Sequence, residues 1–422
     1  MVLETLPSLK TEELNTRESV HLLRRVFPIL LNETFVLGAT PRIIGREPPS
    51  NGLKLDDGEA SRHHASIAIE HGQAILVDLN STNGTIVNDD RIERHVLMKN
   101  DVVQIGRTLF VYCCLEMGIA SLGGFRNSRA SFVRLEAEDL ARKASGSALS
   151  ILIHGPTGAG KERLAEKIHE WSGRAGKFVA VNCGAIPREL IASELFGHLK
   201  GSFSGASEQR SGLFQTAHEG TLFLDEVAEL PLEVQATLLR VCESNEIRPV
   251  GADRSKFVDV RILTATHVDL DERVLEGRFR EDLLARLRGV TCVIPPLNER
   301  RDEILHLFHR FTGERPFGLT VAKRLLNASW RENVRGVKKA AEQALLYREE
   351  SSTILPQHLP PLMCHREPPV TAKTNESHPD LERLLREARG NVAQVARRLG
   401  VHRQQVYRWI TRANLNPQDF RR

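Results

Sequence analysis

Short apolar runs broken by turn residues mark the first quarter of the chain. From about residue 20 to 117 the runs PRIIG, ASIAIE, AILVDL, TIVN, VVQIG and LFVYC are separated by Gly, Asn, Asp and Ser. That rhythm predicts an antiparallel β-sandwich. From about 125 to 360 the texture changes: ALSILIHG, FVAVN, GTLFLDE, VDVRILTAT and GVTCVIP are nearly continuous apolar strands alternating with helical patterns. Strands buried on both faces and joined by helices predict a parallel sheet with crossover helices. Between Cys364 and Asp380, HREPPVTAKTNESHP is polar and Pro-containing and reads as a linker. Beyond it apolar residues fall at helical spacing: Leu381, Leu384 and Leu385, then Val392, Val395 and Ala396, then Val406, Trp409 and Ile410. Gly390-Asn391 and Gly400 supply turns between these short helices. No internal repeat interrupts the three textures.

Composition narrows the class. A chain of 422 residues exceeds one hydrophobic core and accommodates two or three domains. Its 41% apolar and 27% charged residues are ordinary for a globular protein, and no apolar run approaches the roughly 20 residues of a membrane span. The start, MVLETLPSLKTEEL, lacks the basic-then-apolar layout of a secretory signal. Cysteines at 113, 114, 183, 242, 292 and 364 show no CxxC spacing, which argues against metal or disulfide roles and for a reducing, cytoplasmic setting away from membranes. Net charge is +4, but Leu381–Arg422 holds ten arginines and three acids, so 10 − 3 = +7 there and +4 − 7 = −3 elsewhere. A basic C-terminal module on a mildly acidic body suggests nucleic-acid contact at that end.

The candidate chemistry begins where the strand ALSILIH runs into Gly155, Pro156, Thr157, Gly158, Ala159, Gly160, Lys161 and Glu162, followed by the helical RLAEKIHEW. Glycines let a backbone wrap a phosphate chain with its N–H groups pointing inward, the helix adds its positive end, and a lysine reaches the β- and γ-phosphates. The Ser or Thr that commonly follows this lysine is Glu162. About 65 residues on, the strand GTLFLDE ends in Asp225 and Glu226. In a P-loop enzyme the first acid holds Mg2+ and the second polarises the attacking water, so ATP and Mg2+ are the expected ligands. A third strand ends in the polar pair Thr266 and His267.

With ELFGHLKGSFSGA, GTLFLDEV, LLRVCESNEIRPVGA, GRFREDLLARL and PPLNERRDEI in order, this segment resembles the AAA+ domain of sigma-54-dependent activators over nearly its whole length. That family also carries Glu after the P-loop lysine. The resemblance implies an ATPase working as a homo-oligomeric ring, a hexamer, with ATP sites between subunits. It implies that Asn182 holds the catalytic glutamate inactive until nucleotide is sensed, that Thr266 and His267 form the first sensor, and that Arg335 in WRENVRG is the second. By the same resemblance Arg280 and Arg286 enter the neighbouring subunit's site, where such arginines stabilise charge on the transferred phosphoryl group. The sequence departs from the family at the first sensor, often Thr-Asn, and at Arg331-Glu332-Asn333, where Pro-Gly-Asn is usual. The family's GAFTGA loop appears as Gly201, Ser202, Phe203, Ser204, Gly205 and Ala206, implying contact with sigma-54 RNA polymerase. Glycines flanking a phenylalanine suit a mobile tip pressing on a partner, and a second loop near Gly251–Lys256 would support it.

The C-terminal segment resembles the Fis-type helix-turn-helix that ends most such activators. In that reading His402 to Arg408 open the recognition helix, with Arg403, Gln404, Gln405 and Arg408 candidates for DNA bases and phosphates at an upstream, enhancer-like site. Arg397 and Arg398 would touch the DNA backbone; Tyr407 is a contact or core residue, and Trp409 is expected in the core. At the other end, IIGR, SRHHA and NSTNGT lie on successive turns and resemble the forkhead-associated (FHA) domain. Phosphate recognition needs a guanidinium with hydroxyl and amide donors converging from loops. By family position Arg46, Ser61, Arg62, Thr82 and Asn83 would bind phosphothreonine, with His64 and Asn88 steadying the loops. The ligand would be a phosphothreonine protein: a Ser/Thr kinase, another partner or the chain itself.

The expected architecture is therefore multidomain: an all-β FHA sandwich over 20–118, an α/β P-loop AAA+ domain over 125–362 with a helical lid from about 297, a linker over 363–379, and a small all-α helix-turn-helix over 380–422. The function expected is a sigma-54-dependent transcriptional activator. The readings left open are a DNA-binding repressor or a phosphopeptide adaptor whose AAA+ domain serves only oligomerisation.

Overall fold

The N-terminal alternation of apolar and polar positions folds as two facing β-sheets. The computed structural model describes residues 19–29, 33–116, 132–147, 149–202, 207–348, 352–360, 381–388, 392–399, 406, 409 and 415. The first sheet has six strands, in spatial order Thr34–Val36, Ser19–Phe27, Thr108–Glu116, Val102–Ile105, Thr85–Val87 and Asp90–Ile92. The second has five: Leu53–Lys54, Arg42–Gly45, Ala65–Glu70, Gln73–Asp78 and Arg94–Val96. Leu23, Ile44, Ile67, Leu76, Val103 and Phe110 fill the space between them. The loops at 45–47, 59–64 and 80–85 leave the sandwich at one end.

The sandwich's longest pairing involves a strand with no clean alternation. Ser19–Phe27 (SVHLLRRVF) is buried along most of its length, and it pairs antiparallel with Thr108–Glu116 from Ser19↔Glu116 to Phe27↔Leu109. Its inward face closes the sandwich core; its outward face packs on the α/β domain.

That domain carries a five-stranded sheet in the order Phe178–Asn182, Thr221–Asp225, Arg261–Thr266, Ile151–His154, Val290–Val293, with every pairing parallel. All five expected apolar strands are present, and helices cover both faces, as continuous apolar runs require. On one side Leu164, Ala165 and Ile168 of the helix Lys161–Ser172 pack on Ile151, Ile153 and Leu263. On the other, Val234, Leu238 and Val241 of the helix Leu232–Ser244 join Leu222 and Leu224. Three further helices, Arg301–Phe311, Leu319–Asn327 and Asn333–Tyr347, pack in one hydrophobic cluster and are called the lid below. Among the described residues no helix is long and apolar enough to cross a membrane.

Residues from His365 onward form a separate unit. Its helices Leu381–Glu387 and Val392–Leu399 bury Leu381, Leu385, Val392 and Val395 together with Val406, and Trp409 is partly buried against them.

Candidate functional site

Parallel sheets collect chemistry at the carboxyl ends of their strands, where loops from neighbouring strands converge. Here the strand Ile151–His154 runs directly into the glycine loop, and its neighbour Arg261–Thr266 separates it from the acidic strand Thr221–Asp225. The loop's conformation requires glycine: Gly158 has φ 76° and Gly160 φ 104°, in the region L side chains rarely adopt. A Cβ on Gly158 would lie 2.4 Å from the Glu332 carbonyl oxygen, and one on Gly155 would lie 2.4 Å from that of Ile294.

Lys161 begins the following helix and is only 5% exposed. Its Nζ donates to the Gly155 carbonyl at 3.1 Å and to Glu226 Oε1 at 3.3 Å, with Asp225 Oδ1 at 3.9 Å. The other oxygen of Glu226 meets His267 Nδ1 at 2.5 Å. Glu226 itself sits in the left-handed region, φ 54°, ψ 49°, with its N–H donating to Asp225 Oδ1 at 3.0 Å. Burial raises the pKa of Asp225; Lys161 opposes that shift and the charge of Glu226 adds to it. A carboxylate pair ending one strand, a histidine following the next and a lysine beneath the loop thus come together. This donor set suits Mg2+, which favours carboxylate oxygen, and the glycine cradle suits a polyphosphate.

The flanking predicted residues are placed as follows. Thr266 is buried; its Oγ1 accepts from the Val268 N–H at 3.1 Å and its carbonyl accepts from Gly155 N–H at 3.1 Å, stitching the strand Arg261–Thr266 to the P-loop. Asn182 stands in register with Asp225, and its Oδ1 accepts from the Gly184 N–H at 2.9 Å. Glu162 is exposed, as is Arg335, whose Cβ lies 3.3 Å from the position a Cβ on Gly158 would take. Arg280 pairs with Asp282 at 2.7 Å and Arg286 with Glu243 at 3.6 Å, both on exposed surface.

Two residues essential to this geometry escaped the sequence reading. Asn333 is 2% exposed and left-handed at φ 55°; its Oδ1 accepts from Leu297 N–H at 2.8 Å and its Nδ2 donates to the Thr157 carbonyl at 2.9 Å. Val334 N–H donates to the Gly158 carbonyl at 3.0 Å. Arg300, fully buried, donates to the Ala159 carbonyl at 3.1 Å and to Glu303 at 2.8 Å. The lid therefore holds three consecutive P-loop carbonyls. Asn333 did carry a signal, since it is the one residue of Arg331-Glu332-Asn333 that keeps the usual Pro-Gly-Asn pattern.

Of the loop at 201–206, Gly201 (φ 79°) and Ser202 are described; Phe203, Ser204, Gly205 and Ala206 lie outside the described residues. Its base is tied to the second loop: Leu199 N–H donates to Val250 O at 3.0 Å, and Ser202 Cβ packs 2.7 Å from where a Cβ on Gly251 would sit.

In the sandwich the three end loops are laced together. Arg46 N–H donates to Ser61 O at 3.0 Å, Thr82 N–H to Ser61 Oγ at 3.1 Å, and Asn83 Nδ2 to Glu59 O at 2.8 Å. Arg46, Arg62, Thr82 and Asn83 are exposed and Ser61 is half-buried. Beneath them His64 is fully buried: its Nδ1 accepts from Ser61 N–H at 3.0 Å and its Nε2 meets the Gly84 carbonyl at 3.2 Å. Burial lowers its pKa, the Gly84 contact and Asp78 opposing. Asn88 Oδ1 accepts from Val102 N–H at 3.0 Å and its Nδ2 donates to Asp101 at 2.6 Å.

In the C-terminal unit Arg398 is exposed and pairs with Glu387 at 2.7 Å. The side chain of Arg397, and His402, Arg403, Gln404, Gln405, Tyr407 and Arg408, lie outside the described residues.

Fold and site define a P-loop protein of the AAA+ class preceded by a β-sandwich with a laced three-loop end. Comparison with known proteins agrees. Residues 129–293 match the Sigma-54 interaction domain, 42–106 the FHA domain and 381–415 a winged helix-turn helix. The transcriptional regulatory protein GlrR of Escherichia coli K12 is 39% identical over 294 residues, covering 67% of this chain and 66% of GlrR. The regulatory protein AtoC of the same strain is 38% identical over 303 residues, covering 66% of this chain and 65% of AtoC. The crystal structure of NtrX from Brucella abortus in complex with ATP aligns with 30% identity and TM-score 0.50, covering 67% of each chain. The chain belongs to the sigma-54-dependent transcriptional regulators. It spans slightly less than two thirds of the length of these curated relatives.

Proposed function

We propose that this chain is an ATP-hydrolysing transcription activator that remodels sigma-54 RNA polymerase, with phosphothreonine as its input signal and upstream DNA as its anchor. The observation that carries this reading is the convergence of Lys161, Asp225, Glu226 and His267 beside the glycine loop. ATP is the substrate. Lys161 exchanges its carboxylate partners for the terminal phosphates. Asp225 would hold Mg2+, which supplies charge neutralisation on the phosphate oxygens. Glu226 takes a proton from a water whose oxygen attacks the terminal phosphorus; the bond from that phosphorus to its bridging oxygen breaks, leaving ADP and inorganic phosphate. Arg280 and Arg286, both exposed, would complete a neighbour's site in a homo-oligomeric ring, a hexamer. Asn182 lies in register with Asp225 and would relay nucleotide state to Glu226. Thr266, His267 and Arg335 would sense that state.

The glycine-flanked tip 201–206, tied at its base to the loop at 250–251, would press on sigma-54. Arg46, Ser61, Arg62, Thr82 and Asn83 would bind the phosphothreonine of a kinase, another partner or the chain itself, and the basic C-terminal helices would hold an enhancer-like DNA site. A cytoplasmic setting follows from that role. Purified full-length protein should open a sigma-54 promoter only with ATP, and Glu226→Gln should bind ATP yet open none. Opening by that variant at the wild-type rate would refute the mechanism.

A further inference from the structure

The outward face of the sandwich's first sheet is not a solvent face. Leu22, Leu109 and Val111 point away from the sandwich core and are completely buried, in one cluster with Ile304, Phe308 and Leu325 of the lid. A bulge between Arg25 and Phe27 turns Phe27 to the same side, where its ring stacks on Phe317 with centroids 6.4 Å apart. Sandwich and lid thus share one hydrophobic core.

Polar ties run through and around that core. Arg24 and Asp302 meet at 2.7 Å with both side chains 2% exposed, joining the first strand to the lid helix Arg301–Phe311. Adjacent to Asp302, Glu303 holds Arg300, and Arg300 holds the P-loop carbonyl of Ala159. A second route leaves the phosphothreonine loop. Thr82 and Asn83 lead into the strand Thr85–Val87 and its turn at Asp89, which meets Asn327 at 2.6 Å and Lys323 at 3.3 Å on the lid helix Leu319–Asn327. Buried charge pairs tolerate little relative movement, because separating them leaves a charge unpaired in an apolar setting.

We propose that the FHA domain and the ATPase lid are one cooperative body, so that occupancy of the P-loop and occupancy of the phosphothreonine loops alter each other's affinity. Binding at either end changes the lid's preferred position, and linkage makes the effect reciprocal. Signal input in this protein is then not a detachable cover on the ATPase but part of the element that grips the P-loop. The inference rests on the nucleotide and phosphothreonine readings above.

Amide hydrogen exchange on the full chain tests it in two arms. In the first, saturating ADP is the probe. The expected result is at least tenfold slower exchange in 19–27 and 85–90 as well as in 155–164 and 301–311. Protection confined to 155–164 and 301–311 overturns the coupling. The second arm needs no nucleotide. Asp302→Asn should speed exchange at least tenfold in 19–27 together with 301–311, and the milder Lys323→Ala should speed it at 85–90, which guards against a variant that fails to fold. Changes limited to the lid overturn the proposal. Absence of any ADP protection, P-loop included, counts against the nucleotide reading, while the second arm still decides the coupling.

Discussion

Replacing Asn333 by Ala removes both side-chain bonds that fasten the lid to the P-loop. Leu297 N–H is buried and would lose its acceptor, at a cost of about 1–3 kcal/mol. The Thr157 carbonyl is partly exposed and can recruit water, so its loss is about 0.5–1.5 kcal/mol. Asn333 also occupies φ 55°, a conformation that asparagine tolerates and alanine pays about 1–2 kcal/mol to adopt. Together the loss is about 3–6 kcal/mol, a large fraction of what a domain commonly holds in reserve. Asn333→Gly removes the same bonds without the backbone strain, so it should be milder by about 1 kcal/mol, less glycine's own entropic cost. Urea denaturation of the three full-length proteins, followed by fluorescence, gives the ranking wild type, Gly, Ala. ADP affinity should fall in the same order, because the loop's carbonyls lose their clamp. If Asn333→Ala unfolds within about 0.5 kcal/mol of wild type and binds ADP equally, the lid does not shape the P-loop as described.

Further expectations follow from the same geometry. Gly158→Ala drives a Cβ to 2.4 Å from the Glu332 carbonyl at a φ of 76°, so nucleotide binding measured by calorimetry should be lost while the sandwich stays folded. His267→Ala frees one oxygen of Glu226 from its 2.5 Å contact; kcat for ATP should drop by up to about 100-fold with KM little changed, since the proposed water-activating group and not the glycine cradle is disturbed. The folded pKa of His64 is lowered by burial below its usual 6.5, so its neutral form is the one the fold favours. Its contribution is full above pH 6.5 and is lost as pH falls through the lower folded value, with Nδ1 no longer accepting from Ser61; amide exchange at 61–64 and 82–85 should quicken on acidification, and a flat profile would contradict this.

Much of this arrangement was legible from local pattern alone. The five parallel strands announced themselves because each is buried on both faces and reads as unbroken apolar sequence. Lys161, Asp225 and Glu226 were legible as local patterns, a glycine loop after one apolar strand and paired acids ending another, and the fold brings them together. The first strand was not. Arg24 and Arg25 interrupt its apolar run, and the acid that neutralises Arg24 lies 278 residues away, which no local pattern discloses. Arg25 is likewise buried against distant partners, donating to the Lys54 carbonyl at 3.1 Å and meeting Glu33 at 2.9 Å. Arg300 was hidden for the same reason: in NERRDEI it looks like one more surface arginine, and only the folded lid brings it to Ala159. Long-range charge burial, rather than element type, marks the limit of what the sequence disclosed.

The most direct measurement is ATP turnover and ATP binding by the same purified full-length protein, with and without Glu226→Gln. If Lys161, Asp225 and Glu226 enclose one nucleotide, wild type hydrolyses ATP, and the variant binds it with comparable affinity while releasing no phosphate. Phosphate release by Glu226→Gln at the wild-type rate, or failure of the wild type to bind ATP at all, would contradict the account.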